Sequence, residues 1–245
     1  MFFIKLGKIV NQMSFKESIY SLEYSNDGLN YAVGIADCSI RIFDGVTRQE
    51  ELILGGKDNT KVVGHMSKIY ALKYHKDNPK VLISGGWDDN VIFWDLNTGT
   101  PIKVLLGPHI FGEGLDINCF GDILTASWRK DDALQIWDYE TLSKKMTIDW
   151  NFKEKEENVR SSTQLYCCKF SKDFGKLIFA GGSQVNNAKI FDWNGTGVAV
   201  IDKLSHACLA LDSSNDLSKN EQLLAIGGGE GIVRIFKVKY GPNFK

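Results

Sequence analysis

Short hydrophobic segments with a two-residue alternation recur along the chain, separated by turns rich in acidic and amide residues. In each unit an alternating segment leads through a turn into a segment that ends in small residues. A tight turn follows, and then a second alternating segment that closes on an aromatic residue. Strands with one buried face produce this period, whereas helices produce a period near 3.6. The pattern predicts an all-β chain built from repeated antiparallel strands.

The closing segment of each unit identifies the repeat most clearly. The five closing segments are IRIFD, VIFWD, LQIWD, AKIFD and VRIFK, which end at Phe43, Trp94, Trp137, Phe191 and Phe236 with one further residue. Successive aromatic residues lie roughly 40–55 positions apart, which is the length of a four-stranded propeller blade with loop insertions. Five units of this kind predict a β-propeller.

From about Phe15 to Phe236 the chain resembles the WD-repeat family. The second unit carries the best match, with Gly64-His65 ahead of ALKYH and VLISGGWDDNVIFWD. The resemblance implies one propeller domain over residues 1–245, made of four-stranded antiparallel blades. The implied repeats cover about 15–54, 62–106, 107–150, 164–203 and 204–240.

The resemblance also implies a buried structural tetrad in the two best units. In the second unit it would consist of His65, Ser84, Asp88 and Trp94, and in the third of His109, Thr125, Asp131 and Trp137. An indole N–H only donates, while serine and histidine can relay hydrogen bonds toward a carboxylate. A satisfied chain of this type would make each blade rigid. The other three units lack parts of the set.

The chain has five units, whereas the WD-repeat proteins that it resembles most often form closed propellers of seven blades. Two alternatives stay open, a five-bladed ring or part of a seven-bladed one. Residues 7–13 read like the outer strand that follows a closing segment, and the C-terminal unit lacks such a strand. We therefore expect residues 1–14 to supply the outer strand that closes the last blade, which would remove exposed strand edges.

A candidate partner-binding face lies where the second and third strands of a unit meet. It comprises Trp87, Trp128, Arg129, Lys130 and Lys68. Tryptophan and arginine are enriched at binding hot spots because they bury large areas and still form hydrogen bonds. The alternative is that Trp87 and Trp128 pack between blades and serve only the core.

The composition of the chain argues against several classes of function. The net charge of −1 argues against broad binding of nucleic acid, which requires a basic field. No long apolar run suggests membrane insertion, and no histidine or cysteine spacing suggests a metal site or another cofactor. The five cysteines fit a reducing compartment, so the cytoplasm is the expected location, with the nucleus, cytoskeleton and cilium as further possibilities.

These observations predict a non-enzymatic scaffold or adaptor that holds other proteins or peptides within a larger complex. The alternative is a recognition module for a modified or charged peptide tail. In that case Trp87 and Trp128 would form an aromatic cage, with Arg129, Lys130 and Lys68 at its edge. A catalytic function is not expected, because the sequence offers no exposed nucleophile with an oxyanion hole.

Overall fold

The computed structural model describes residues 2–3, 8–9, 12–56, 64–152, 163–173, 175–216 and 221–239. Its strands form five successive antiparallel sheets, the blades, and one short N-terminal hairpin. The hairpin pairs β1 (Phe2–Phe3) with β2 (Lys8–Ile9). No helix in the described part of the chain has the length and apolar character that a membrane crossing requires.

Four blades contain four strands each, in chain order across the sheet. Blade one contains β3 (Ile19–Tyr24), β4 (Asn30–Ile35), β5 (Ser39–Asp44) and β6 (Glu50–Gly55). Blade two contains β7 (Ile69–Tyr74), β8 (Val81–Gly86), β9 (Asn90–Asp95) and β10 (Thr100–Leu106). Blade three contains β11 (Leu115–Ile117), β12 (Asp122–Ala126), β13 (Leu134–Asp138) and β14 (Lys144–Thr147). Blade four contains β15 (Gln164–Phe170), β16 (Leu177–Ser183), β17 (Ala188–Asp192) and β18 (Gly197–Ile201).

Blade five has three strands in the described residues: β19 (Cys208–Asp216), β20 (Glu221–Gly228) and β21 (Val233–Lys239). Among the described residues Lys8–Ile9 pairs with Phe2–Phe3, and β21 pairs with β20. Half of the segment 1–14 lies outside the described residues, so its role as the outer strand of blade five stays a prediction.

Neighbouring blades pack face to face through their first strands. β7 lies on β3 and β4, β11 lies on β7, β15 on β11 and β12, and β19 on β15 and β16. Among the described residues, no strand of blade five packs extensively against a strand of blade one. The described blades therefore form an open arc and not the closed five-bladed ring. The alternative of a larger ring stays a prediction.

The hydrophobic core consists of the layers between blades. The third strand of each blade turns two apolar side chains toward the next blade, and in blades one to four these are at most 4% exposed. The pairs are Ile40 and Ile42, Val91 and Phe93, Leu134 and Ile136, and Ala188 and Ile190. The second strands of blades one to four, such as VLISGG in β8, are buried over nearly their whole length because both faces are covered.

A small residue near the end of each second strand gives the next blade room to approach. A Cβ at Gly34 would lie 3.0 Å from Ile69 Cγ2, and one at Gly85 would lie 2.9 Å from Ile110 Cγ1. At Gly181 the added Cβ would overlap Cys208 of blade five. The equivalent residue of blade five, Gly227, has no atom within 4 Å of the added Cβ. Glycine is thus sterically required at this position in blades one, two and four, whereas blade three has the buried Ala126 there.

We expect Gly181→Ala to destabilise the fold by about 1–3 kcal/mol, because the added methyl group overpacks the layer between blades four and five. Gly227→Ala is the matched control, since it changes the same position of the repeat where the space is open. It should change the free energy of unfolding by less than about 0.5 kcal/mol. Urea denaturation of both variants measures the difference. Equal losses would show that the steric assignment is wrong.

Candidate functional site

The tetrad residues of blade two form one continuous polar chain. Trp94 Nε1 donates to Ser84 Oγ at 2.8 Å, and Ser84 Oγ lies 2.7 Å from His65 Nε2. His65 Nδ1 lies 3.0 Å from Asp88 Oδ1, and the Met66 amide donates to Asp88 Oδ2 at 2.7 Å. This polar chain joins the loop before the blade to β8, β9 and the turn between them. Its members are nearly inaccessible to solvent, so it stabilises the blade and is not available to a ligand.

Asp88 ends this chain as a carboxylate. Burial alone would raise its pKa, but the hydrogen bond from His65 and the amide of Met66 outweigh burial and hold the pKa below its ordinary value of 3.8. A carboxyl group with a lowered pKa in the folded state stabilises the fold above its unfolded pKa. That contribution is lost as the pH falls through the folded pKa.

In blade three the predicted tetrad is only half present. Trp137 Nε1 donates to Thr125 Oγ1 at 2.9 Å, as expected. The placement of Asp131 beside His109 is wrong, because His109 Nδ1 lies 2.5 Å from Asp89 Oδ1 of blade two and Asp131 is exposed. Thr125 and Trp137 are 12 positions apart, whereas Ser84 and Trp94 are 10 positions apart. The connection between the second and third strands of blade three is therefore two residues longer, and Asp131 lies away from the histidine.

We expect Asp88→Asn to cost about 1.5–3 kcal/mol at pH 7, because it weakens hydrogen bonds to a charged, nearly buried group. The difference from the unmodified protein should narrow as the pH falls below 3.8, because the unfolded chain then takes up a proton that folded Asp88, with its lowered pKa, does not. Denaturant titrations at several pH values measure it. Asp131→Asn is the control in the equivalent turn and should cost less than about 0.5 kcal/mol. Equal costs for the two variants would contradict the tetrad of blade two.

Beside the polar chain lies a contiguous cluster of rings, here called the aromatic rim. Its members are Tyr70, Trp87, His109, Phe111, Trp128 and Tyr166, with neighbouring ring centroids 4.2–6.2 Å apart. Trp87 touches four other rings and is nevertheless 36% exposed. The indole N–H of Trp128 is buried and has no hydrogen-bond acceptor among the residues that the structure describes. The rim therefore combines packed rings with an accessible indole at its surface.

Backbone hydrogen bonds hold the two tryptophans of the rim. The Trp87 amide donates to the Lys68 carbonyl at 3.0 Å, and the Trp128 amide donates to the His109 carbonyl at 2.8 Å. Both strand ends are thereby fixed to the loop that precedes the blade. A partner that binds here would lose little conformational entropy on the protein side.

A charged group borders the rim. Asp89 Oδ1 accepts from His109 and also forms an ion pair with Arg129 at 3.0 Å. Arg129 is still largely exposed, so its remaining donors face solvent. The arrangement places a guanidinium group next to an exposed indole, a combination suited to carboxylates and to aromatic or proline side chains.

The predicted partner-binding residues are thus only partly brought together. Trp87, Trp128 and Arg129 lie in or beside the rim. Lys68 is connected to the rim only through Tyr20. Its Nζ lies 5.4 Å from the ring centre of Tyr20, and the Tyr20 ring contacts Tyr70 of the rim. Lys130 is exposed, and among the described residues no contact joins it to the rim. Trp87 and Trp128 contact each other at 5.6 Å, so the space between them is filled by their own rings.

Sequence reasoning missed four members of the site: Asp89, Tyr70, Phe111 and Tyr166. A signal for the two tyrosines was present. An aliphatic-Tyr pair opens the first strand of three blades, at Ile19-Tyr20, Ile69-Tyr70 and Leu165-Tyr166. In all three strands the tyrosine is the residue at a β-bulge. Bulges redirect a side chain and are common beside functional sites.

Comparison with known proteins agrees with this architecture. The family described as "WD domain, G-beta repeat" matches residues 56–95, which include the complete tetrad of blade two from His65 to Trp94. The β-propeller domain of Cps50 (Swd1) from Myceliophteria thermophila superposes with a TM-score of 0.74 at 18% identity. The match covers 96% of this chain and 69% of that chain. Residues 56–95 therefore carry a WD repeat, and the chain has the fold of a β-propeller.

Curated relatives of this WD-repeat chain include "Cell division cycle 20.4, cofactor of APC complex" from Arabidopsis thaliana. It is 27% identical over 82% of this chain and 43% of its own length. The "SAGA complex subunit Spt8" of Schizosaccharomyces pombe is 31% identical over 51% of this chain and 20% of its own length. The chain thus spans less than half the length of these relatives, and both are named as components of multi-protein complexes.

Proposed function

We propose that this chain is a non-enzymatic scaffold or adaptor, which binds another protein through the aromatic rim and the adjacent Arg129. The exposure of Trp87 carries the proposal. Its indole contacts four rings and is nevertheless 36% exposed beside the end of β8, so it is held in place and remains accessible to a partner. Indole and guanidinium groups dominate the binding energy of protein interfaces.

The relatives support the same function at a general level. The Arabidopsis relative is named as a cofactor of a complex, and the fission yeast relative is named as a subunit of a complex. A propeller offers such assemblies a rigid surface, with binding residues at the ends of strands. Fold does not fix function, so the proposal depends on the rim and not on the propeller.

The alternative, recognition of a modified peptide tail by an aromatic cage, receives less support from the geometry. A cage needs rings that surround an open space for the cation. The rings of Trp87, Trp128 and Phe111 fill that space by contacting one another. The rim therefore fits a partner that lies on its surface better than one that inserts between the two indoles.

Affinity purification of the whole chain with quantitative mass spectrometry tests the proposal. We expect a stoichiometric partner set that is depleted at least tenfold for Trp87→Ala/Arg129→Ala, which corresponds to about 1.4 kcal/mol. Trp193→Ala is the matched control, because Trp193 is an exposed tryptophan in blade four outside the rim. It should retain the set. The proposal would be contradicted if the Trp87→Ala/Arg129→Ala variant kept the melting temperature of the unmodified protein and still bound every partner in full.

A further inference from the structure

Blade five presents to solvent a sheet face that every other blade buries. Val233 and Ile235 of β21 are 68% and 67% exposed, although the equivalent residues of the other four blades are at most 4% exposed. Leu223 on β20 is exposed on the same face, and the space above Gly227 is empty. The fifth blade thus keeps the apolar residues and the glycine that receive a neighbouring blade elsewhere in the molecule. Apolar faces of this kind mark interaction sites.

The four buried faces show what kind of structure such a face accepts. Each receives two apolar side chains from the first part of the following blade. These are Ile69 and Leu72, Ile110 and Leu115, Leu165 and Cys168, and Cys208 and Leu211. In three cases the two residues are three positions apart and flank the β-bulge. An extended segment with the pattern apolar-x-x-apolar therefore fits the open face.

The charges along the first strands indicate which type of residue should follow the second apolar residue of a docked segment. The position after the second apolar residue alternates in sign from blade to blade: Glu23, Lys73, Asp116, Lys169 and Asp212. Neighbouring members form ion pairs, Lys73 with Glu23 at 2.7 Å and Lys169 with Asp212 at 3.3 Å. Asp212 ends the series on blade five with 62% of its side chain exposed. Continued alternation requires a basic residue beside it.

We propose that the open face of blade five docks a β-strand of a partner protein with the sequence pattern aliphatic-x-x-aliphatic-basic. The aliphatic side chains would cover Gly227, Val233 and Ile235, and the basic side chain would pair with Asp212. This site is separate from the aromatic rim, so it stands whether or not the rim binds a protein.

The same charges argue against the first strand of this chain as the occupant, from the same molecule or from a second copy. β3 offers the right aliphatic spacing, since Ile19 and Leu22 are 45% and 56% exposed. However, its next residue is Glu23, which would stand beside Asp212. Like charges placed side by side across an interface disfavour the pairing.

A peptide with the sequence of residues 67–76, SKIYALKYHK, is the probe, because β7 carries the required pattern. A matched peptide replaces only the lysine that corresponds to Lys73 with glutamate. Fluorescence anisotropy with the whole chain should show binding of the lysine peptide at sub-millimolar concentration. The glutamate peptide should bind about tenfold more weakly. Hydrogen exchange of residues 233–235 should slow when the lysine peptide is added.

Two variants locate the site. Asp212→Lys should reverse the preference between the two peptides, whereas Asp202→Lys, at an exposed position on blade four, should leave it unchanged. Gly227→Leu should abolish binding without lowering the melting temperature, because the added side chain occupies open space.

Several results would overturn the proposal. These are failure of the lysine peptide to bind at about 1 mM, and equal affinity for both peptides. Self-association of the chain that Ile235→Asp abolishes would also overturn it, because the face would then belong to a second copy.

Discussion

The fold depends on one steric constraint, which is that a four-stranded sheet in this molecule can be buried only by another sheet lying flat on it. Every inner blade meets the constraint with a small residue near the end of its second strand and two apolar residues on its third. Gly85, for example, lies under Ile110 of the following blade. The core is therefore a stack of layers, and each layer needs two neighbouring repeats. A single repeat could not bury its apolar faces alone, as is general for repeat proteins.

The polar chain and the aromatic rim show two uses of the same strand ends. Asp88 turns inward and completes the chain from Trp94, whereas Asp89, the next residue, turns outward and joins His109 to Arg129. Two adjacent residues of one turn thus serve different purposes: Asp88 stabilises the blade, and Asp89 contributes to the aromatic rim. The buried polar chain fixes the backbone next to Trp87. The same hydrogen bonds therefore make the blade rigid and hold the aromatic rim in position.

Sequence reasoning predicted the all-β repeat from its two-residue period, which is a local property, and the resemblance to WD-repeat proteins implied the polar chain of blade two. The sequence did not predict the contacts between blades. The connection between the second and third strands of blade three is two residues longer than that of blade two, and the partner of His109 is Asp89 of the neighbouring blade and not Asp131. The tyrosines at the bulges repeat visibly, but their convergence depends on the angle between blades.

Alternation of charge along the first strands has an arithmetical consequence. A closed cycle can alternate in sign only if its number of members is even, and the described series has five members with an acidic residue at both ends. If the five members closed into a cycle, two acidic residues, Glu23 and Asp212, would lie next to each other and repel. A cycle without frustration needs an odd number of additional strands, which begin and end with a basic residue. The signs of the two end members, Glu23 and Asp212, thus restrict the number of strands that could complete an alternating cycle to an odd number.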